Sequence, residues 1–171
     1  MFFPRPTPTP LPALAVPPPS ACAQILSADW GARKIPVSKG GHIRGHHPVR
    51  PDHDSVPFES LGECRAISLF AGIPEMERIS AQPVTIQYRY GNRVYKYTPD
   101  FMLEWSEVPL EWRNRGFGKT SFVECKPLGK ALSQVEKLSR NLAAIAALEK
   151  GPLIFLTERE LVCWGGRADA I

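Results

Sequence analysis

Asp100, Glu124 and Lys126 are the residues of this chain best suited to chemistry. Asp100 follows Thr98-Pro99 at the end of an apolar run, and Glu124 and Lys126 sit in Phe122-Val123-Glu124-Cys125-Lys126-Pro127, so the order is P-D, a gap, then E-x-K. Side chains alternate faces along a strand, which puts Glu124 and Lys126 on one side and Val123 and Cys125 on the other. If the fold brings Asp100 beside Glu124, two carboxylates about 4 Å apart repel by roughly 4 kcal/mol at an effective dielectric of about 20, unless a cation lies between them. Oxygen donors of this kind suit Mg2+ or Mn2+, with the backbone carbonyl of Cys125 as a third protein ligand and water and a phosphate oxygen completing the shell. Lys126 can orient an attacking water, help to deprotonate it, and then offset charge on the phosphorus centre. Metal-dependent phosphodiester hydrolysis is the chemistry this trio suggests. The competing structural uses are a turn cap for Asp100 and a Glu124–Lys126 surface couple worth at most about 1 kcal/mol.

Positioning such a trio requires strands and at least one helix. Ser60 can cap a helix that runs to residue 71, where Gly72 and Pro74 end it; Leu61, Cys64, Ile67 and Phe70 form its apolar stripe. Glu63 shares a side with Ala66, Ile67 and Phe70 and is a third candidate acid, able to hold a second metal or position water. It is also the N3 residue of a capping box, and Glu59 replaces it as candidate if the helix begins earlier. Val84, Ile86, Tyr88 and Tyr90 alternate with polar residues as in a half-buried strand, Gly91-Asn92 makes a tight turn, and the return strand over residues 94–102 carries Asp100 near its end. Residues 104–120, with Trp105 and Trp112, are assigned to a long loop. A strand over residues 121–126 follows. Leu132, Val135, Leu138, Leu142 and Ile145 then recur at helical spacing up to Gly151-Pro152, with Gln134, Lys137 and Asn141 on the polar flank. A short strand over residues 153–156 and an element over residues 160–164 complete an α/β order, a mixed sheet flanked by helices.

With 171 residues the chain suits one domain. Pro4, Pro6, Pro8, Pro10, Pro12, Pro17, Pro18 and Pro19 mark residues 1–31 as a proline-rich disordered arm. Residues 32–54 are a basic extended segment, and residues 55–171 the catalytic domain. The absence of a run of about 18 apolar residues argues against a membrane span, and scattered Cys22, Cys64, Cys125 and Cys163 against a disulfide framework, so a soluble cytoplasmic protein is expected. The formal charge of +4 is modest but uneven. Positive residues cluster before the core and around E-x-K, which suits a polyanion; Arg33, Lys34, Arg44, Lys130, Gln134 and Lys137 are the candidate DNA contacts. His42, His46, His47 and His53 invite a zinc hypothesis, but no cysteine or regular ligand spacing accompanies them, and the neighbouring arginines favour phosphate.

Phe58-Glu59-Ser60-Leu61-Gly62-Glu63, Ala81-Gln82-Pro83, Tyr97-Thr98-Pro99-Asp100-Phe101, Val123-Glu124-Cys125-Lys126-Pro127 and Leu156-Thr157-Glu158 follow one another in that order. Together they resemble the E-S-x-x-E, Q-P, Y-x-P-D-F, V-E-x-K-P and L-T-E pieces of the TnsA-type endonuclease subunits of heteromeric transposases, within the PD-(D/E)XK nuclease superfamily. The resemblance covers about residues 33–164. It implies a restriction-endonuclease-like fold, Mg2+ or Mn2+ at Glu63, Asp100 and Glu124, and hydrolysis of the 5′ strands at transposon ends. The implied partners are a DDE-type transposase subunit, which cuts and joins the 3′ ends, and an AAA+ ATPase regulator, all in a bacterial cytoplasm and at the nucleoid when active. Full-length members carry a C-terminal domain and this chain ends before one could begin, which implies a subunit dependent on its partner. The Trp-rich segment over residues 104–120 is longer than the family pattern. A repair or restriction nuclease acting alone, and a non-catalytic DNA-binding or transposase-bridging subunit, are the alternatives.

Overall fold

A computed structural model describes residues 16, 18–31, 43–51 and 53–164. Arg33, Lys34 and His42, and most of the proline-rich arm, lie outside the described residues. The architecture is mixed α/β: β1 (Ala23–Trp30), β2 (Gly45–His47), β3 (Val56–Phe58), α1 (Leu61–Ala71), β4 (Met76–Ala81), β5 (Val84–Tyr90), β6 (Arg93–Tyr97), β7 (Phe101–Trp105), α2 (Leu110–Arg113), β8 (Thr120–Cys125), α3 (Leu128–Leu132), α4 (Val135–Leu148), β9 (Leu153–Leu156) and α5 (Glu158–Trp164).

Three sheets result among the described residues. β1-β5-β6 is antiparallel, β2 pairs with β3, and β4-β7-β8-β9 is antiparallel except for the parallel β8–β9 pair. A parallel pair requires a long crossover, supplied here by α3 and α4. β5 and β6 form the expected hairpin, with Tyr90 opposite Arg93 and Gly91 at φ 58°, the positive value needed at the first position of a two-residue II′ turn. The return strand is not continuous. It breaks at Thr98-Pro99-Asp100, and the chain passes from the three-stranded sheet into the four-stranded one, because Pro99 has no N–H to continue a ladder.

Several elements depart from the sequence expectations. Residues 23–30, expected within the disordered arm, form β1 and pair along β5; a register shift between Ile25 and Ser27 interrupts their alternation and hides the strand signal. Residues 45–47, expected to be extended and basic, pair with β3. β4 was not anticipated, since a bulge between Met76 and Arg78 leaves Glu77 and Arg78 both exposed and breaks the period of two. The helix expected from Leu132 onward is two helices, and Leu132 is 59% exposed rather than in the stripe. Asn141, expected on a solvated flank, is buried and accepts a 3.3 Å hydrogen bond from the Tyr88 hydroxyl.

The segment assigned to a loop over residues 104–120 is the centre of one core. Phe70 of α1 lies 5.3 Å from Trp112 and 6.2 Å from Trp105, ring centre to ring centre, and Trp112 meets Phe117 edge-on at 5.2 Å. All four rings are buried. Propensity alone could not show this, because Pro109, Gly116 and Gly118 break any period while tertiary packing buries the aromatics between them. The second core lies under α4, where Val84, Ile86, Tyr88 and Tyr97 meet Phe122, Ala144 and Ile145. Gly151, at φ 151°, lets the chain enter β9 close to β8: a Cβ there would stand 2.2 Å from the Thr120 carbonyl oxygen.

α1 buries Ala66, Ile67 and Phe70, whereas Leu61, expected in its stripe, is 47% exposed. Phe70→Ala is therefore expected to destabilise the fold by about 3–5 kcal/mol, and Leu61→Ala by no more than about 0.5 kcal/mol. Denaturant unfolding of the two variants checks this; equal losses would contradict the packing described.

Candidate acidic site at the sheet junction

β8 delivers Glu124 and, one residue beyond its end, Lys126. The Lys126 Nζ donates to Glu124 Oε1 at 2.9 Å, as the shared strand face predicts, and both side chains are largely buried. The Lys126 main-chain N–H bonds to the Leu156 carbonyl at 2.9 Å, which continues the β9 pairing and fixes the lysine's origin. Asp100 arrives from the sheet switch. Its Oδ2 accepts the Cys125 N–H at 2.7 Å, so the two motif strands are joined through the carboxylate itself. Val123 is fully buried in the first core, on the opposite face from Glu124.

Glu63 occupies the N3 position of α1 and completes a reciprocal cap. Its N–H donates to Ser60 Oγ at 3.2 Å, its Oε1 accepts from the Ser60 hydroxyl at 2.9 Å, and its Oε2 accepts from the Glu59 N–H at 2.8 Å. The structural alternative weighed for Glu63 is thus present. Its charge nevertheless reaches the site, where it helps to raise Asp100. Glu59 faces elsewhere, 3.3 Å from the Arg44 guanidinium and 3.2 Å from Gln82 Nε2.

The electrostatics follow from three carboxylates, partly stripped of water, of which one is bonded to the Lys126 ammonium. Burial first, then the charges of Glu124 and Glu63, push the Asp100 carboxyl well above its usual range, against the opposing pull of the Cys125 N–H and Lys126. Burial is also the main cause that raises Glu63. The Cys125 thiol is pushed well up by burial and by the same acids, so it stays protonated and is a poor metal ligand; its main-chain carbonyl remains the donor to consider.

Among the described residues no three His, Cys, Asp or Glu side chains converge as a ready-made metal site. The fit to a divalent ion rests on the donor chemistry. Asp100 and Glu124 offer hard oxygen donors, and the repulsion that raises Asp100 is what a dication would relieve. His47, from the histidine-rich segment, is engaged elsewhere, at 2.7 Å from both Ser68 Oγ and the Pro48 carbonyl.

The remaining expected contacts are dispersed. Arg44 stands beside Glu59 near the start of α1. Lys130 on α3 and Lys137 on α4 are exposed, and Gln134 is half-buried at the N-terminal cap position of α4. A cavity of about 310 Å³ opens beside Lys126, bounded by Ser60, Gly62, Arg65, Pro127, Thr157 and Glu158.

Two residues near the cluster had no assigned role in the sequence. Gln82 takes a left-handed conformation, φ 43°, unusual outside glycine; its N–H donates to the Asp100 carbonyl at 2.8 Å while its side chain reaches Glu59. Tyr97, on β6, donates its hydroxyl to Glu124 Oε2 at 2.9 Å. Both were visible as members of motifs, Q-P and Y-x-P-D-F, but their partners are distant in sequence and no local pattern names them. No protein-family model matches the chain, and no curated protein matches it.

Asp100 binds its proton more tightly in the folded chain than at the ordinary carboxyl value of 3.8. Above that value the native state holds more protons than the unfolded chain, so this group lowers stability as pH rises, until the folded carboxyl ionises as well. Asp100→Asn removes the ionisation while keeping an acceptor for Cys125. The variant is expected to melt higher than the wild type at neutral pH, by roughly 2–4 °C for each kcal/mol relieved, and to lose less stability as pH rises. Thermal melts across pH test this, and an unchanged or lower neutral melting temperature would contradict it.

Proposed function

We propose that the chain is a metal-dependent DNA endonuclease that hydrolyses phosphodiester bonds with Asp100, Glu124 and Lys126. One observation carries the proposal: the Asp100 carboxylate, bonded to the Cys125 N–H, lies near enough to Glu124 of β8 to feel its charge, and Lys126 is hydrogen-bonded to Glu124. The order of strands β7 and β8, antiparallel, and β9, parallel to β8, with α1 packed near their ends, is compatible with a restriction-endonuclease-like sheet.

Asp100 and Glu124 would hold Mg2+ or Mn2+, with the Cys125 carbonyl beside them and Glu63 contributing charge from the helix. The ion, when bound, supplies Lewis-acid polarisation of the phosphate and lowers the pKa of water. Lys126 would orient the attacking water and, only as the neutral amine, take its proton, a form that an arginine does not reach. Arg44, Lys130, Gln134 and Lys137, together with Arg33 and Lys34, are proposed to contact the DNA backbone.

The motif order further supports a TnsA-type subunit that cuts 5′ strands at transposon ends beside a DDE-type transposase, with an AAA+ ATPase regulator, in the bacterial cytoplasm. Among the described residues no helix is long and apolar enough to cross a membrane. The test assembles the protein with its cognate transposase and end DNA and follows 5′-strand cleavage in Mg2+ against Ca2+. Lys126→Ala is expected to slow cleavage by roughly 10²–10⁴-fold and Asp100→Ala to abolish it. Full cleavage by either variant would sink the site assignment, and equal cleavage of unrelated DNA by the chain alone would point to a repair or restriction nuclease.

A further inference from the structure

We propose that Tyr97 is a positioning residue that holds the Glu124 carboxylate in the orientation a divalent cation requires. This rests on the metal-nuclease reading of the site and adds a residue to it. Tyr97 and Glu124 belong to different sheets, β6 of the three-stranded one and β8 of the four-stranded one, and their 2.9 Å hydrogen bond joins the two beside Asp100. Each residue is only 6% exposed. The tyrosine ring cannot drift, since its strand pairs opposite Ile86 and the ring is packed in the core with Phe122 and Ile145.

The two donors on Glu124 differ in kind. Lys126 holds Oε1 with an ammonium, whose positive charge would compete with that of a dication bound at Glu124. Tyr97 holds Oε2 with a neutral O–H, which a dication does not repel as it does an ammonium. A carboxylate oxygen has room for two partners, so the phenol takes one site on Oε2 and leaves the other open. Tyr97 is therefore the contact that keeps Glu124 in place when Lys126 lets go. Hydrogen bonds to ligating carboxylates commonly set metal affinity by such orientation.

The test is titration calorimetry of Mn2+ into the full chain for wild type, Glu124→Ala and Tyr97→Phe, with thermal melts of each metal-free protein. Wild type should bind and Glu124→Ala should not. Tyr97→Phe keeps the packed ring, so its melting temperature should stay within a few degrees while Mn2+ binds about 10–100-fold more weakly. Its DNA cleavage should recover at raised Mn2+, which a merely structural defect would not do. Wild-type affinity in Tyr97→Phe overturns the role of Tyr97 and leaves the nuclease reading standing. Absence of Mn2+ binding by the wild type overturns both. Should Tyr97→Phe fail to fold, the wild type supplies a second readout: Mn2+ should perturb its tyrosine ultraviolet band, and the perturbation should persist in Tyr88→Phe. No perturbation overturns the proposal.

Discussion

The charge of Glu124 is the constraint around which this structure is arranged. A carboxylate that is 6% exposed costs several kcal/mol to remove from water unless its oxygens are engaged, and here both are, one by the Lys126 ammonium and one by the Tyr97 hydroxyl. Those donors come from either side of the sheet switch. Lys126 is set by the β8–β9 pairing and Tyr97 by the β5–β6 hairpin, so satisfying one carboxylate requires both sheets to be formed and docked.

Asp100 makes the arrangement costlier. It enters at Thr98-Pro99-Asp100, the point where the chain leaves one sheet for the other, and it brings a second negative charge beside the first. Its position is over-determined: Cys125 donates to its side chain, and Gln82, in a left-handed conformation, donates to its carbonyl. Backbone strain at Gln82 and repulsion among the acids both oppose folding. Burial of the two aromatic and aliphatic cores offsets them. Accumulated like charge that folding must tolerate is what a site for a dication would require.

Legibility in the sequence followed the range of the interaction. The Ser60–Glu63 cap, the Gly91-Asn92 turn, the alternation of β5 and the shared face of Glu124 and Lys126 depend on neighbours a few residues apart, and each was readable. Where a bulge shifted the register, in β1 and β4, the period of two was lost and the strand with it. The Trp-rich segment failed for a different reason: its aromatics are held by Phe70, far along the chain, and turn residues between them look like loop.

The amino-acid order by itself determined which residues could do chemistry and that Glu124 and Lys126 would stand together, because a strand's alternation is a property of its own backbone. Tertiary structure decided the rest. Asp100 meets the Cys125 N–H, Glu63 divides its role between cap and electrostatic neighbour, and Tyr97 reaches Glu124 across two sheets. Such contacts depend on how separately formed elements pack, through loops whose closure no local pattern encodes. The site's chemistry is thus written in residue type, and its geometry in the docking of two sheets.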